Sequence, residues 1–189
     1  MDAALDLLAE RGEDGISLRE LTRAAQANVA AVSYHFGSLQ SLCDEAIEYA
    51  LERYLAAQED SVSRLSGDAS MEELAAAFAR PMTRALAVGG RDLDVMRIVA
   101  RSGIDPPEGW NRFDASFDRI RVGLLAVLRT NVPDVKDQEL IFRTRCAAGL
   151  LNWLVLAPVG EELRNRSERQ IERVLVPVLA GALRGIPAA

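Results

Sequence analysis

The side chains that could act as acids, bases or nucleophiles form no recognisable catalytic motif in this 189-residue sequence. Its single histidine, His35, has no nucleophile close to it in the sequence, and no glycine-rich phosphate loop, HExxH or GxSxG motif is present. Two pairs of carboxylates lie beside helix starts or on solvated faces, namely Glu72 with Glu73 and Glu161 with Glu162. We therefore expect no catalytic site, no metal site and no cofactor.

The composition excludes several classes of protein. Hydrophobic residues make up 49% of the chain, enough to bury a core, which excludes a disordered protein. No run of about 18 uncharged apolar residues could span a membrane, and the start lacks the basic region of a signal peptide, so we expect a cytoplasmic protein. Cys43 and Cys146 stand far apart without a CxxC or Cys/His cluster, which indicates reduced core thiols.

The charge balance argues against a nucleic-acid partner. The chain has 22 Lys and Arg residues against 28 Asp and Glu residues, a formal net charge of -6, whereas nucleic-acid-binding proteins usually carry a basic surface. Most of the excess lies in residues 1–47, where three arginines stand against eight carboxylates, a net charge of -5. A DNA-binding segment at this end would have to turn most of its carboxylates away from the duplex.

The elements that must position any site are predicted to be helices. Apolar residues recur at helical spacing, aromatic residues make up only 5%, and long alternating β-branched runs are missing. We predict an all-α protein of about nine helices, three or four short ones followed by five longer ones. Capping boxes opened by Ser17, Ser70 and Ser167 mark helix starts. Pro81 is expected to bend the helix that Ser70 opens, and the clearest loop covers residues 103–109.

The first short helices describe a helix-turn-helix. The second helix is predicted to run from residue 17 to about residue 25, and the third, capped by Asn28, over residues 29–34. Two helices joined by so short a turn allow the second one to enter the major groove of DNA. Spacing alone is weak support for DNA binding.

Specific residues strengthen this interpretation. Over roughly the first 50 residues the sequence resembles the DNA-binding domain of TetR-family transcriptional regulators, through segments 4–12, 16–21 and 25–31 and the run Tyr34-His35-Phe36-Gly37-Ser38 with Leu42. The resemblance implies a homodimeric, ligand-responsive repressor with an N-terminal DNA-binding head, residues 1–47. It also implies a C-terminal helical body for ligand binding and dimerisation, residues 48–189. The partner would be a palindromic double-stranded DNA operator, with recognition helices about 34 to 36 Å apart.

The resemblance also implies which head residues meet DNA. On the recognition helix, positions 29–31 and 33 face bases; Ala and Val offer methyl contacts to thymine, and only Ser33 can hydrogen-bond a base edge. The resemblance also places further side chains, and the N–H groups at helix starts, near phosphates. The full set of predicted DNA-binding residues is Ser17, Arg19, Asn28, Val29, Ala30, Ala31, Ser33, Tyr34 and His35. Alternatively, Tyr34 and His35 pack the head against the fourth helix.

Several residues depart from the family pattern. Gln26 stands at the turn where the family usually has glycine, and a non-glycine residue in the left-handed conformation costs roughly 1 to 2 kcal/mol. Leu39 and Gln40 replace a Lys-Glu pair that is common in the family, which removes an expected phosphate contact. No basic arm precedes Met1 in this sequence, so either the start is truncated relative to the natural protein or the arm is absent. We expect weak non-specific DNA binding with a shallow salt dependence. The alternative is a helical protein-interaction scaffold that has lost DNA binding.

Two long apolar helices near the C-terminus are suited to self-association. Residues 140–156 and 169–183 include small side chains that permit close packing, namely Ala147, Ala148, Gly149, Ala180, Gly181 and Ala182. In agreement with the resemblance, we predict a homodimer through an intersubunit four-helix bundle. The alternative is that both helices pack only within one chain.

The body should also hold an effector site, apolar with a few orienting polar groups. Candidate residues on the fifth to eighth helices are Phe78, Met82, Met96, Trp110, Phe113, Phe117, Arg145, Asn152 and Trp153. An aromatic stripe at helical spacing is also what a plain core looks like, whereas Arg145 and Asn152 are costly in an apolar interior unless they face a pocket, an interface or a partner. We expect an apolar or aromatic small molecule of unknown identity. An enzyme built around Arg145 and a carboxylate stays an alternative.

Overall fold

The computed structural model describes residues 1–104, 106, 110–157, 162–164 and 166–185. All regular secondary structure in these ranges is helical, which confirms the predicted all-α fold, with short 3₁₀ turns at Glu13–Gly15 and Trp110–Phe113. None of the described helices is long and apolar enough to cross a membrane, and no cluster of described residues could hold a metal ion. The α-helices are α1 Asp2–Arg11, α2 Leu18–Ala24, α3 Val29–Phe36, α4 Leu39–Ser63, α5 Met71–Val88, α6 Gly90–Ile104, α7 Asp114–Asn131, α8 Asp137–Leu156 and α9 Glu168–Arg184.

Helices α1 to α3 form the head, and their ends follow local signals in the sequence. Ser17 and Glu20 close the predicted capping box at the start of α2, because the Ser17 hydroxyl accepts from the Glu20 N–H and the Glu20 carboxylate accepts from the Ser17 N–H. Asn28 caps α3, and its Oδ1 accepts from the N–H of Ala31 at 2.7 Å. α3 continues to Phe36, two residues beyond the predicted end.

The turn between α2 and α3 contains a strained residue. Gln26 has a φ of 51°, and it is the one non-glycine residue with positive φ in the described part of the chain. This conformation brings the Cβ of an L-residue close to the following carbonyl oxygen, at a cost of roughly 1 to 2 kcal/mol. The left-handed conformation expected at this position is therefore confirmed, and it lies at the joint that sets the angle between α2 and α3.

A single apolar core runs from the head into the body. Leu5 of α1 and Leu42 of α4 belong to the same buried cluster as Leu140 and Ile171 in the body. α4 links the two parts without a break, so the predicted boundary at residue 47 falls within a continuous helix. Within the body, α5 packs mainly against α9, and α8 packs against α6 and α9.

The two cysteines lie in different environments. Cys43 is buried, as predicted, and this burial raises the pKa of its thiol to about 11. Cys146 is exposed on α8, so the prediction of a core thiol is wrong for this residue. The same outward face presents Phe142, Leu150 and Trp153, which are 65%, 41% and 58% exposed. Apolar character on α8 therefore does not mean burial within this chain.

Candidate DNA-binding surface and ligand cavity

Helix α3 presents most of its side chains to solvent. Val32, at 7% exposure, is the single buried residue of α3 and anchors the helix to the head core. Val29 is 48% exposed, Ala30 and Ser33 are exposed, and Ala31 is half-buried. α3 contacts the head core through Val32 and the half-buried Phe36, which leaves Val29, Ala30 and Ser33 accessible to a partner.

Tyr34 and His35 form an exposed aromatic pair near the end of α3. Their ring centroids are 5.0 Å apart in edge-to-face geometry, and Tyr34 is 85% exposed. So large an exposure means that Tyr34 is not buried against α4, which was the alternative considered from the sequence. The phenol hydroxyl and the imidazole are free to meet phosphate oxygens. Asn28, at the other end of α3, is also exposed, but its Oδ1 is already bonded as the helix cap.

Ser17 and Arg19 lie at the start of α2 but differ in availability. The Ser17 hydroxyl donates to Glu20 Oε2 at 2.6 Å, and the Ser17 N–H bonds the same oxygen at 3.2 Å. These bonds, together with Arg11, lower the pKa of Glu20, so its carboxylate stays ionised beside Ser17. A phosphate at Ser17 would therefore meet a negative charge. Arg19 is exposed and forms no ion pair with any described residue, so of the two it is the better candidate for a phosphate contact.

Part of the negative charge of the head is neutralised by the body. Arg91, at the start of α6, contacts Asp6 at 2.7 Å and Asp2 at 3.4 Å. Gln40, which departs from the family pattern, donates from its side-chain amide to Asp44 at 3.2 Å and so serves a structural role within the head. Asp2 and Asp6 of α1 are thus engaged at the junction with α6, on a different element from α3.

Three adjoining spaces between α4, α5, α6, α7 and α8 form what we call the body cavity. The largest is a cleft of about 700 Å³, to which four of the predicted ligand residues contribute: Phe117, Arg145, Asn152 and Trp153. A chamber of about 20 Å³ is lined by three others: Phe78, Met82 and Met96. A third space of about 420 Å³ extends along α7. The structure therefore brings seven of the nine predicted ligand residues to one region.

The other two predicted ligand residues are not brought to the body cavity. Phe113 is buried and lines a separate cleft of about 420 Å³ with Glu48, Glu59 and Arg119. It lies in the 3₁₀ turn before α7 and faces residues of α4 in that cleft. The side chain of Trp110 lies outside the described residues.

Tyr54 and Gln58 of α4 line the body cavity but were not predicted from the sequence. Tyr54 lines all three spaces, together with Ala148 of α8. Burial raises the pKa of Tyr54 to about 12, so its hydroxyl stays neutral and can donate or accept a hydrogen bond. Both residues continue the buried stripe of Ala46 and Ala50 at a spacing of four. A glutamine in such a stripe was the signal that could have revealed the site.

Helix α6 lies between the body cavity and the head. Ile104, the last residue of α6, and Leu156 of α8 line both the 700 Å³ cleft and a further cavity of about 340 Å³ between head and body. α1 also packs more extensively against α6 than against α4. A ligand in the cleft would therefore touch an element that also supports the head.

The outward faces of α8 and α9 carry apolar side chains that the rest of the described chain does not cover. Val174 and Val178 of α9 are 47% and 57% exposed, alongside the exposed apolar residues of α8. Of the small residues predicted to permit close packing, Ala147 and Ala180 are buried within the chain, so they do not reach an interface. Gly149 and Gly181 are exposed, whereas the two remaining alanines are half-buried.

Comparison with known proteins covers both parts of the chain. Residues 1–46 match the family described as bacterial regulatory proteins, tetR family, and residues 76–183 match the Tetracyclin repressor-like, C-terminal domain. The probable HTH-type transcriptional regulator YttP of Bacillus subtilis (strain 168) is 30% identical over 74 residues, which cover 39% of this chain and 36% of that protein. The crystal structure of the TetR family transcriptional regulator PfmR from Thermus thermophilus aligns with 100% of this chain and 95% of its own, at 23% identity and a TM-score of 0.65, and shows the shared fold. The chain belongs to the TetR family of bacterial regulatory proteins.

Proposed function

We propose that the protein is a DNA-binding transcriptional regulator of the cytoplasm, a homodimeric repressor that a small apolar or aromatic ligand releases from a palindromic operator. Residues 1–47 would bind DNA and residues 48–189 would bind the ligand and the second subunit. The main support for the proposal is the exposure of α3. It is the second helix of the helix-turn-helix, and Val32 is its one buried residue. An accessible helix of this kind fits the major groove.

The exposed face of α3 suggests how sequence would be read. Val29, Ala30 and Ala31 offer methyl groups, which suit the C5-methyl of thymine, and Ser33 supplies the hydroxyl for a base edge. With so few polar groups, much of the specificity would come from thymine methyls and from DNA shape. Arg19 and the exposed pair at the end of α3 would hold phosphates, so we expect a small number of phosphate contacts.

Dimerisation is supported by the uncovered apolar face of α8 and α9. Phe142, Leu150 and Val178 are each more than 40% exposed, whereas side chains of this type are usually buried in a soluble protein. Pairing α8 and α9 with the same helices of a second copy would bury this face in a four-helix bundle. The same dimer would hold two α3 helices at the separation that successive major grooves require.

The body cavity is the proposed effector site, and α4 and α6 are the proposed route to the head. A ligand in the cleft would contact Tyr54 of α4 and Ile104 of α6, both of which belong to helices that support α1 or α3. A ligand that fits one arrangement of these helices better than another would shift the population of head orientations. The two heads would then no longer fit one operator together.

Selection from random DNA duplexes tests the proposal. The expected outcome is an enriched inverted repeat bound by a dimer, with affinity lost in Tyr34→Ala, whose wild-type side chain is too exposed to support the fold. Val122→Ala, at an exposed site on α7, is the matched control and should bind like wild type. If no sequence is enriched, the proposal is wrong.

A protein-interaction scaffold is the second candidate, and the ionised Glu20 beside Ser17 is the observation that favours it. A carboxylate at this helix start repels the phosphate that the family fold would place there. Binding to DNA at several salt concentrations separates the two functions. A regulator loses affinity as salt rises, with a log–log slope near -0.9 per phosphate contact, whereas a scaffold shows no measurable binding.

A further inference from the structure

Gln58 of α4 repairs a gap in the hydrogen bonding of α5. In a regular helix the carbonyl oxygen of Ala77 would accept from the N–H of residue 81, but Pro81 has no N–H. The side-chain Nε2 of Gln58 donates to this oxygen instead, at 3.4 Å. Gln58 is 1% exposed, so this bond forms inside the protein.

The repair leaves the other amide atom of Gln58 without a partner. Because the Ala77 oxygen is an acceptor, the donor nitrogen must face it, and this fixes the orientation of the amide. The Oε1 atom of Gln58 is then buried with no hydrogen-bond donor among the described residues. Buried carbonyl oxygens are nearly always paired, so an unpaired one marks a place where a donor is expected.

The unpaired oxygen belongs to a residue that lines the 20 Å³ chamber of the body cavity. This volume holds about one water-sized group. The chamber shares Tyr54, Val99, Ala148 and Asn152 with the 700 Å³ cleft, so a ligand in the cleft can extend one group into it. No charged side chain lines the chamber within the described structure. An ammonium group would therefore lose its water without gaining a counter-charge, and a carboxylate would set its oxygens against Oε1.

We propose that the ligand of the body cavity carries a neutral hydroxyl group, such as that of a phenol, that donates a hydrogen bond to Gln58 Oε1. The apolar or aromatic body of the ligand packs in the 700 Å³ cleft against Val99, Phe117 and Trp153. Its hydroxyl enters the chamber that Phe78, Met82 and Met96 surround. This inference rests on the proposed effector site and adds the chemical class of the effector.

The test compares two probes that differ in one hydrogen-bond donor, 1-naphthol and its methyl ether 1-methoxynaphthalene. Both are titrated into the full-length protein by calorimetry. Replacing Gln58 alone would leave the Ala77 oxygen unpaired, so the variant is made in a Pro81→Ala background, where residue 81 again supplies an N–H. Pro81→Ala is the matched control for Pro81→Ala/Gln58→Met, and thermal unfolding checks that both variants fold.

The wild type and Pro81→Ala should bind 1-naphthol about tenfold or more tightly than the ether, because an unmet buried acceptor is costly. In Pro81→Ala/Gln58→Met this preference should disappear. Equal binding of the two probes to the wild type, or a preference that survives in the double variant, overturns the inference. The affinity for the operator is measured in parallel. A Gln58-dependent preference without any change in operator affinity supports the hydrogen bond to Gln58 Oε1 but counts against the proposed effector function.

Discussion

Arg101 of α6 donates a hydrogen bond from Nη2 to the backbone carbonyl oxygen of Glu10, 3.0 Å away, near the end of α1. This bond ties the head to the helix whose last residue, Ile104, lines the 700 Å³ cleft of the body cavity. The start of α6 is tied to α1 as well, through Arg91 and Asp6. Because α1 packs against both α6 and α4, the contacts favour a shared role for these two helices in transmission between body and head.

Arg101→Met should loosen α1 while the fold is kept. A buried hydrogen bond from a charged group contributes about 1.5 to 3 kcal/mol to stability. Because Arg101 is partly exposed, we expect its bond to contribute about 1 kcal/mol. That corresponds to a roughly fivefold larger equilibrium constant for local opening, which faster hydrogen exchange of the α1 amides measures. Arg80→Met, at an exposed position of α5, is the control. Unchanged exchange in α1 of Arg101→Met would contradict the coupling.

Gln26→Gly should stabilise the protein by about 1 kcal/mol, because glycine adopts the left-handed conformation without the Cβ clash. The free energy of unfolding in urea measures the effect. Ala25→Gly, one residue earlier with a φ of -77°, is the matched control and should lower stability by about 0.5 to 1 kcal/mol. If Gln26→Gly is as stable as the wild type or less so, the strain assigned to this turn is wrong.

Arg19→Gln should reduce the salt dependence of operator binding. One lost phosphate contact lowers the log–log slope by about 0.9 per head. Arg64→Gln serves as the control, because Arg64 lies at the far end of α4 and pairs with Asp60 at 2.7 Å. Anisotropy titrations between low and physiological salt give both slopes. Equal slopes in Arg19→Gln and the wild type would exclude Arg19 as a phosphate ligand.

Val178→Asp should convert the dimer to a monomer, because the substitution buries a charge in the proposed bundle. Val122→Asp, at a position of similar exposure on α7, should stay dimeric. Light scattering after gel filtration measures the mass, and a thiol reagent reports on Cys146, which should react faster in the monomer. A dimer that persists in Val178→Asp, with Cys146 equally protected, would place the interface elsewhere.

Local features of the fold could be predicted from the sequence, because their causes lie within a few residues. The capping box at Ser17 and the left-handed Gln26 are of this kind. Tyr54 and Gln58 were not predicted as cavity residues because their role depends on which helices face α4. For the same reason the prediction that Phe113 lines the body cavity did not hold. Which residues line a cavity depends on the packing between segments that are distant in the sequence, and a single sequence carries little information about that packing.

The central claim is that the exposed face of α3 binds DNA, and Ala30→Glu tests it most directly. Ala30 is exposed, so the fold should be kept, and the new carboxylate would face the phosphates and base edges of the operator. Fluorescence anisotropy with the selected operator should show a loss of affinity of about 100-fold, corresponding to roughly 2.7 kcal/mol, while Val122→Glu on α7 binds like the wild type. Operator binding by Ala30→Glu that equals that of the wild type would contradict the account.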